Sequence, residues 1–118
     1  MFKSIIDWNE ERNNLVFTRT VEFSMLHEEL MEFMSASNEH EEVDALCDLF
    51  VIATGAIWKL GYDPDRAMFE TIREIKARKQ DPIQKAMWAE EGVKGKWQKW
   101  KEQPKETLYK ANYEKAKI

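Results

Sequence analysis

One stretch decides the fold of this chain, residues 39–61, which read EHEEVDALCDLFVIATGAIWKLG. Between Ala45 and Trp58 the only polar side chains are those of Asp48 and Thr54. A helix that is apolar on nearly every side is buried on nearly every side. In a chain with only four or five helices, a second subunit is the simplest cover for part of that surface. The stretch therefore predicts a central helix and a dimer.

The rest of the chain is also predicted to be helical, because no stretch shows the alternation of a strand. Asn38 and Glu41 fit a capping box that opens the central helix, and Gly61 ends it. The other predicted helices run from Ser4 to about Asn13, from about Thr18 to Ala36, and from Asp63-Pro64 to a basic cluster of Arg73, Lys76, Arg78 and Lys79 before Asp81-Pro82. The short connection at residues 35–38 makes helices two and three an antiparallel hairpin. We therefore predict an all-α helical bundle around this hairpin, completed by dimerisation.

Length and composition favour a single globular domain, since the chain has 118 residues, 43% of them hydrophobic and 34% charged. The single Cys47 forms no intrachain disulfide and no secretory leader follows Met1, so we expect a cytoplasmic location. The longest apolar run, residues 49–58, is shorter than the ~20 residues of a membrane helix, which excludes a membrane protein. Residues 1–82 are predicted to form the helical core of the protein. Residues 83–118 form a basic, aromatic extension that packs on the core or on a partner subunit.

Charge is distributed unevenly along the chain, although the net charge is only −4. Residues 1–72 carry 15 acidic and 5 basic side chains, whereas residues 73–118 carry 7 acidic and 13 basic ones. Between Arg19 and Lys59 there are nine acids and no Lys or Arg. Because like charges at this density repel one another, we expect a bound divalent cation to neutralise them. The basic half then faces the same region or an anionic substrate.

Two acidic motifs lie on the predicted hairpin. Helix two carries E-E-x-x-E at residues 28–32, and helix three carries an acidic stripe at Glu41, Asp44 and Asp48. Antiparallel packing sets Glu32 level with Glu41 or Asp44. The same packing sets Glu29 level with Asp44 or Asp48. The predicted metal ligands are Glu29, Glu32, Glu41, Asp44 and Asp48. A solvated helix face is the alternative, and a capping role is a further alternative for Glu41.

The ligand type selects the metal. A set made only of carboxylates suits Mg²⁺, with Mn²⁺ possible, rather than Zn²⁺ or Cu²⁺. The stretch that begins at His27 lacks the second His of a zinc protease motif. Neither His27 nor His40 follows a Glu by three residues, as a di-iron bundle requires. The residue types therefore exclude both of these metal sites.

These motifs resemble those of a known superfamily. The E-E-x-x-E at 28–32, followed by Glu41-x-x-Asp44-Ala-Leu-Cys-Asp48-Leu-Phe and then by Gly55 and Gly61, is similar to the all-α nucleoside triphosphate pyrophosphohydrolases. It is most like their small MazG-like or phosphoribosyl-ATP pyrophosphohydrolase-like members, which are often phage-encoded. The resemblance covers residues 17–80 well and 81–105 loosely. It implies a MazG-like helical core in a homodimer or homotetramer that uses Mg²⁺ to cleave a (d)NTP or related nucleotide into the monophosphate and pyrophosphate.

The resemblance also implies roles for individual residues. Either Glu41 with Asp44, or Asp44 with Asp48, supplies the ligands of helix three. Glu28 or Glu29 orients or deprotonates the attacking water. The phosphate-binding residues are Lys76, Arg78 and Lys79, which alternatively only complement the helix dipole.

The rival hypothesis is a non-enzymatic helical module that binds a metal or nucleic acid. Trp97 and Trp100 lie among the lysines of residues 94–101, an arrangement that can stack on single strands. The charge of this segment is modest and no RNA-binding motif accompanies it, so a nucleic-acid partner is disfavoured. The expected partners are a nucleoside triphosphate and further copies of the chain.

Overall fold

A computed structural model describes residues 1–77 and 109–118, and the regular structure in these ranges is helical. The elements are α1 (Phe2–Glu11), α2 (Arg19–Met34), α3 (Glu39–Lys59), α4 (Pro64–Lys76) and a C-terminal 3₁₀ turn (Tyr113–Ala116). The described residues form no strand, only an isolated antiparallel bridge between Tyr62 and Lys117. The predicted all-α class is confirmed. Within the same ranges, no helix combines the length and apolarity needed to cross a bilayer.

Helices α2 and α3 make the most extensive contact between elements and run antiparallel on either side of the short connection at residues 35–38. The Asn38 side chain accepts a hydrogen bond from the Glu41 amide at 3.0 Å. The Glu41 carboxylate accepts one in return from the Ser37 amide at 2.7 Å. This is the predicted capping box, with its return bond displaced to the preceding residue. It fixes where α3 begins.

Helix α4 begins as predicted, with Pro64 in its first turn. The Asp63 carboxylate caps it by accepting from the amides of Asp65 at 2.9 Å and Arg66 at 3.2 Å. Gly61 precedes this cap with φ +96°, a left-handed conformation that glycine adopts at little cost. These local signals lie within a few residues of one another, which is why the sequence pattern predicts them well.

The C-terminal segment, residues 109–118, packs along α4. Its main anchor is the buried Glu70 carboxylate, which accepts hydrogen bonds from the Tyr109 hydroxyl and from the Asn112 amide. These two donors hold the pKa of Glu70 below its usual range. The Asp63 amide also donates to the carbonyl of the fully buried Ala116, at 2.8 Å. The segment therefore closes the turn between α3 and α4. The predicted boundary at residue 82, and the extension from 83 to 108, lie outside the described residues.

Helix α1 begins at Phe2, so the predicted N-cap at Ser4 is wrong. The Ile5 amide donates to the carbonyl of Met1, and the Lys3 ammonium pairs with Asp7 one turn later, so the first turn forms earlier than the N-cap signal indicated. Ile5 is buried in the packing of α1 against α3.

The buried apolar core of the described residues is small. It consists of Ile5, Ala45, Ala67 and Ala116, together with Pro64. Large apolar side chains remain exposed on α2 and α3, among them Phe23, Leu30, Met31, Met34, Val43, Leu46 and Val51. On α4, Ile72 and Ile75 are also exposed, because α4 contacts α3 only over a small area. Within residues 1–77 and 109–118, large parts of the apolar helix faces are therefore uncovered.

Candidate metal centre

Three carboxylates meet between α2 and α3. Glu29 and Glu32 lie one turn apart on α2, and Asp48 faces them from α3. Each offers a carboxylate oxygen, and these three oxygens all lie within 4.8 Å of one another. Glu29 and Asp48 are half-buried and Glu32 is exposed, so the cluster of Glu29, Glu32 and Asp48 opens to solvent on one side.

No base of the described residues forms an ion pair with this cluster. Among residues 1–77 and 109–118, the Oε2 atom of Glu29 is buried and has no hydrogen-bond partner. Burial, and then the neighbouring Glu32 carboxylate, raise the pKa of Glu29 to about 7, with Asp48 and Glu28 adding to the effect. Near neutral pH Glu29 therefore carries a proton for about half of the time in the absence of a cation.

The donor set fits a hard divalent cation. Carboxylate oxygens are the ligands that Mg²⁺ and Mn²⁺ prefer, and the described residues place no His or Cys in the group. Two oxygens on one octahedral Mg²⁺ lie about 3.0 Å apart when adjacent and about 4.2 Å apart when opposite. The three oxygens of the cluster, all within 4.8 Å of one another, would have to move closer together to share one ion.

The other predicted site residues lie outside this group. The Glu41 carboxylate caps the Ser37 amide, and Asp44 and Glu28 are exposed. Lys76 is exposed in the last turn of α4. The predicted phosphate-binding residues Arg78 and Lys79 fall outside the described residues. Of the helix-three residues predicted as ligands, the three-carboxylate group contains Asp48.

A second polar cluster near the cluster of Glu29, Glu32 and Asp48 was not predicted. Lys59 of α3 forms an ion pair with Glu22 of α2, and both side chains are almost completely buried. The Lys59 ammonium also donates to Asn14, which in turn donates to the buried Asn9 of α1. One signal was present in the sequence: Lys59 is the first base after a 39-residue stretch without one.

The hairpin thus carries two charged clusters, one of which is rich in acids and open to solvent. Comparison of the chain with protein-family models, with curated proteins and with solved structures gave no match. The chemistry of the molecule is therefore inferred from its own residues and their geometry.

Proposed function

We propose that this protein is a Mg²⁺-dependent nucleoside triphosphate pyrophosphohydrolase, which cleaves a (d)NTP or a related nucleotide into the monophosphate and pyrophosphate. The observation that carries the proposal is the convergence of Glu29, Glu32 and Asp48 around a buried, unpartnered carboxylate oxygen. The same three residues belong to the motifs on which the resemblance to the all-α pyrophosphohydrolases rests. Sequence motif and geometry therefore support the same site.

Glu29, Glu32 and Asp48 are the proposed ligands. When bound, Mg²⁺ offsets the charge of a triphosphate and makes its α-phosphorus more electrophilic. The three carboxylates fix the cation on a rigid helix pair, so that the triphosphate binds in one orientation. Because α2 and α3 carry no base from residue 20 to residue 58, they attract a cation and repel a free polyanion.

Two further roles are proposed for residues around the three-carboxylate cluster. Glu28 is exposed and precedes Glu29, which leaves its carboxylate available to orient or deprotonate a water molecule. Lys76, with Arg78 and Lys79, supplies positive charge that binds the departing pyrophosphate. Lys76 lies in the last turn of α4 and is exposed to solvent.

We also propose that two copies of the chain pair through their hairpins. The apolar stripes on α2 and α3 include Phe23 and Met34, which are 66% and 73% exposed, and Val43, which is 57% exposed. Exposed apolar patches this extensive are typical of interaction surfaces. Sedimentation at micromolar concentration is expected to give at least a dimer. A stable monomer would show that these faces need no second copy.

The experiment that tests the activity is incubation with a panel of canonical and modified NTPs and dNTPs in Mg²⁺, with chromatographic detection of monophosphate and pyrophosphate. Wild-type protein should release both products in equal amounts, and chelator should stop the reaction. Glu32→Gln should be inactive, whereas Glu42→Gln, at an exposed acid of α3 outside the cluster, should be active. Metal binding without turnover on any member of the panel would favour the non-enzymatic module instead.

A further inference from the structure

The hairpin of α2 and α3 is tied together at both ends. At one end the helices are joined by the connection at residues 35–38 and its capping box. At the open end the tie is the ion pair between Glu22 and Lys59, whose side chains are only 5% and 3% exposed. The three-carboxylate cluster lies between these two ties. Its geometry therefore depends on both.

The tie at the open end extends into α1. The Asn14 side chain accepts a hydrogen bond from Lys59 at 3.5 Å and donates one to the side-chain Oδ1 of Asn9 at 2.6 Å. Asn9 donates in turn to the backbone carbonyl of Ile5 at 2.8 Å. Gly55 leaves room for this chain of hydrogen bonds, because a Cβ at that position would lie 3.0 Å from the side-chain Nδ2 of Asn9. Helices α1, α2 and α3 are thus joined by one buried polar network.

The ion pair and the three-carboxylate cluster lie on the same two helix faces. Glu22 precedes Glu29 by seven residues, which is about two turns or 10 Å along α2. Lys59 follows Asp48 by eleven residues, which is about three turns of α3. A rotation or displacement of either helix at the open end therefore also moves the carboxylates.

Electrostatic repulsion favours separation of α2 from α3 at the open end of the hairpin. The carboxylates of Glu29, Glu32 and Asp48 repel one another across the helix interface in the absence of a cation. Among the apolar residues of α3 in the described ranges, Ala45 is the one that is fully buried, so most of the apolar contact that opposes this repulsion is made by half-buried side chains. The opposite charges of Glu22 and Lys59 supply an attraction across the same interface.

We propose that Glu22 and Lys59 are positioning residues, whose ion pair holds the open end of the hairpin closed and so keeps Asp48 opposite Glu29 and Glu32. This inference rests on the proposed cation site, although the closure itself can be measured without a metal. A buried ion pair has the directionality to fix the relative rotation of two helices, which an apolar contact lacks.

The first test is Mn²⁺ affinity, measured on Glu22→Gln and on Lys59→Met. Simple electrostatics predicts opposite effects, because one substitution removes a negative charge and the other removes a positive charge. The positioning role predicts that both variants bind Mn²⁺ about 10-fold more weakly or worse, as for residues that orient metal ligands. Affinity within twofold of wild type in either variant, or tighter binding by Lys59→Met, would overturn the proposal.

Loss of stability is separated from positioning by two further variants. Glu70→Gln weakens the anchor of the C-terminal segment on α4, outside the hairpin, and should leave Mn²⁺ affinity unchanged at temperatures where all variants are folded. The charge-swapped double variant, Glu22→Lys with Lys59→Glu, should restore affinity to within about threefold of wild type. A folded swap variant that binds no Mn²⁺ would contradict the inference even if both single variants fail to fold.

The second test needs no metal binding. Spin labels at the exposed positions Thr20 and Ala53, in a Cys47→Ser background, report the distance between α2 and α3 near the open end. Metal-free Lys59→Met should show a longer and broader distance distribution than the metal-free parent. An unchanged distance distribution would refute the proposal that this ion pair holds the open end of the hairpin closed. If wild type binds no Mn²⁺ but the distribution changes as expected, the proposed function fails while the closure by this ion pair stands.

Discussion

Glu22 is buried and Glu29 is half-buried on the same helix, two turns apart, but the two carboxylates have neighbours of opposite charge. Glu22 pairs with a buried lysine of α3, whereas the charged neighbours of Glu29 among the described residues are carboxylates, chiefly those of Glu32 and Asp48. The Oε2 atoms of both glutamates are buried without a hydrogen-bond partner in the described ranges, so the contrast lies in the charge of their neighbours. We propose that Lys59 compensates the first carboxylate and that a proton or a cation compensates the second.

The largest expected effect is on turnover. Asp48→Asn should reduce pyrophosphate release at least about 100-fold, because it removes the ligand that we propose for α3. The metal-free variant should also be no less stable than wild type, since the substitution removes a repelling charge. Nucleotide turnover and thermal unfolding in chelator measure the two effects. Loss of stability together with undiminished turnover would assign Asp48 a structural role.

The next largest effect is expected on the stability of the protein, when the ion pair between Glu22 and Lys59 is removed. Lys59→Met should lower the free energy of unfolding by about 3–5 kcal/mol, because it leaves the Glu22 carboxylate buried without its partner. Urea unfolding measures this difference. Lys3→Met, which breaks the exposed pair with Asp7, is the matched control and should have little effect. Equal losses of unfolding free energy in Lys59→Met and Lys3→Met would show that burial of the ion pair between Glu22 and Lys59 does not make it more important for stability.

A smaller effect should appear in the pH dependence of stability. The pKa of Glu29 is about 7 in the folded protein, above its ordinary value of 4.5, so the folded state keeps a proton that the unfolded chain releases. Metal-free stability should therefore fall as pH rises from about 5 to 8, by roughly 1–2 kcal/mol after allowance for solvent screening. Urea unfolding across this range should show the slope for wild type and a reduced slope for Glu29→Gln. A rise in stability over the same pH range would contradict the assignment of this pH dependence to Glu29.

The smallest effect is expected at Gly55, where α1 meets α3. Gly55→Ala gains about 1 kcal/mol in helix propensity but crowds Asn9, so the net change should be close to zero. In an Asn9→Ala background the crowding is gone, and the same substitution should stabilise by about 1 kcal/mol. Thermal unfolding of the four proteins measures this coupling. Identical effects in both backgrounds would show that Asn9 does not constrain this position.

Local signals in the sequence predicted the elements of the fold well. Asn38 with Glu41, and Asp63 with Pro64, mark helix starts that the structure confirms, because a cap depends on residues a few positions apart. Hairpin length also limited the partner of Glu29 to Asp44 or Asp48, and the structure selects Asp48. Which of the two residues faces Glu29 depends on the rotation of each helix about its axis. The length of the connection does not determine that rotation.

The pair of Glu22 and Lys59 was not predicted for the same reason. These residues are 37 positions apart, and each resembles an ordinary surface charge in its own neighbourhood. Their burial depends on how α1 and the residues after it cover the open end through Asn9 and Asn14. Contacts of this kind follow from the packing of three helices rather than from any local pattern.

The most direct test of the account is a Mn²⁺ titration of the wild-type chain, Glu32→Gln and Glu42→Gln, followed by the loss of the free-ion resonance signal. We predict that wild type and Glu42→Gln bind the ion in a site that excess Mg²⁺ competes for. Glu32→Gln, which loses a carboxylate from the cluster, should bind it at least about 10-fold more weakly. Equal binding by all three proteins, or no binding by any of them, would contradict the assignment of this cluster as a cation site.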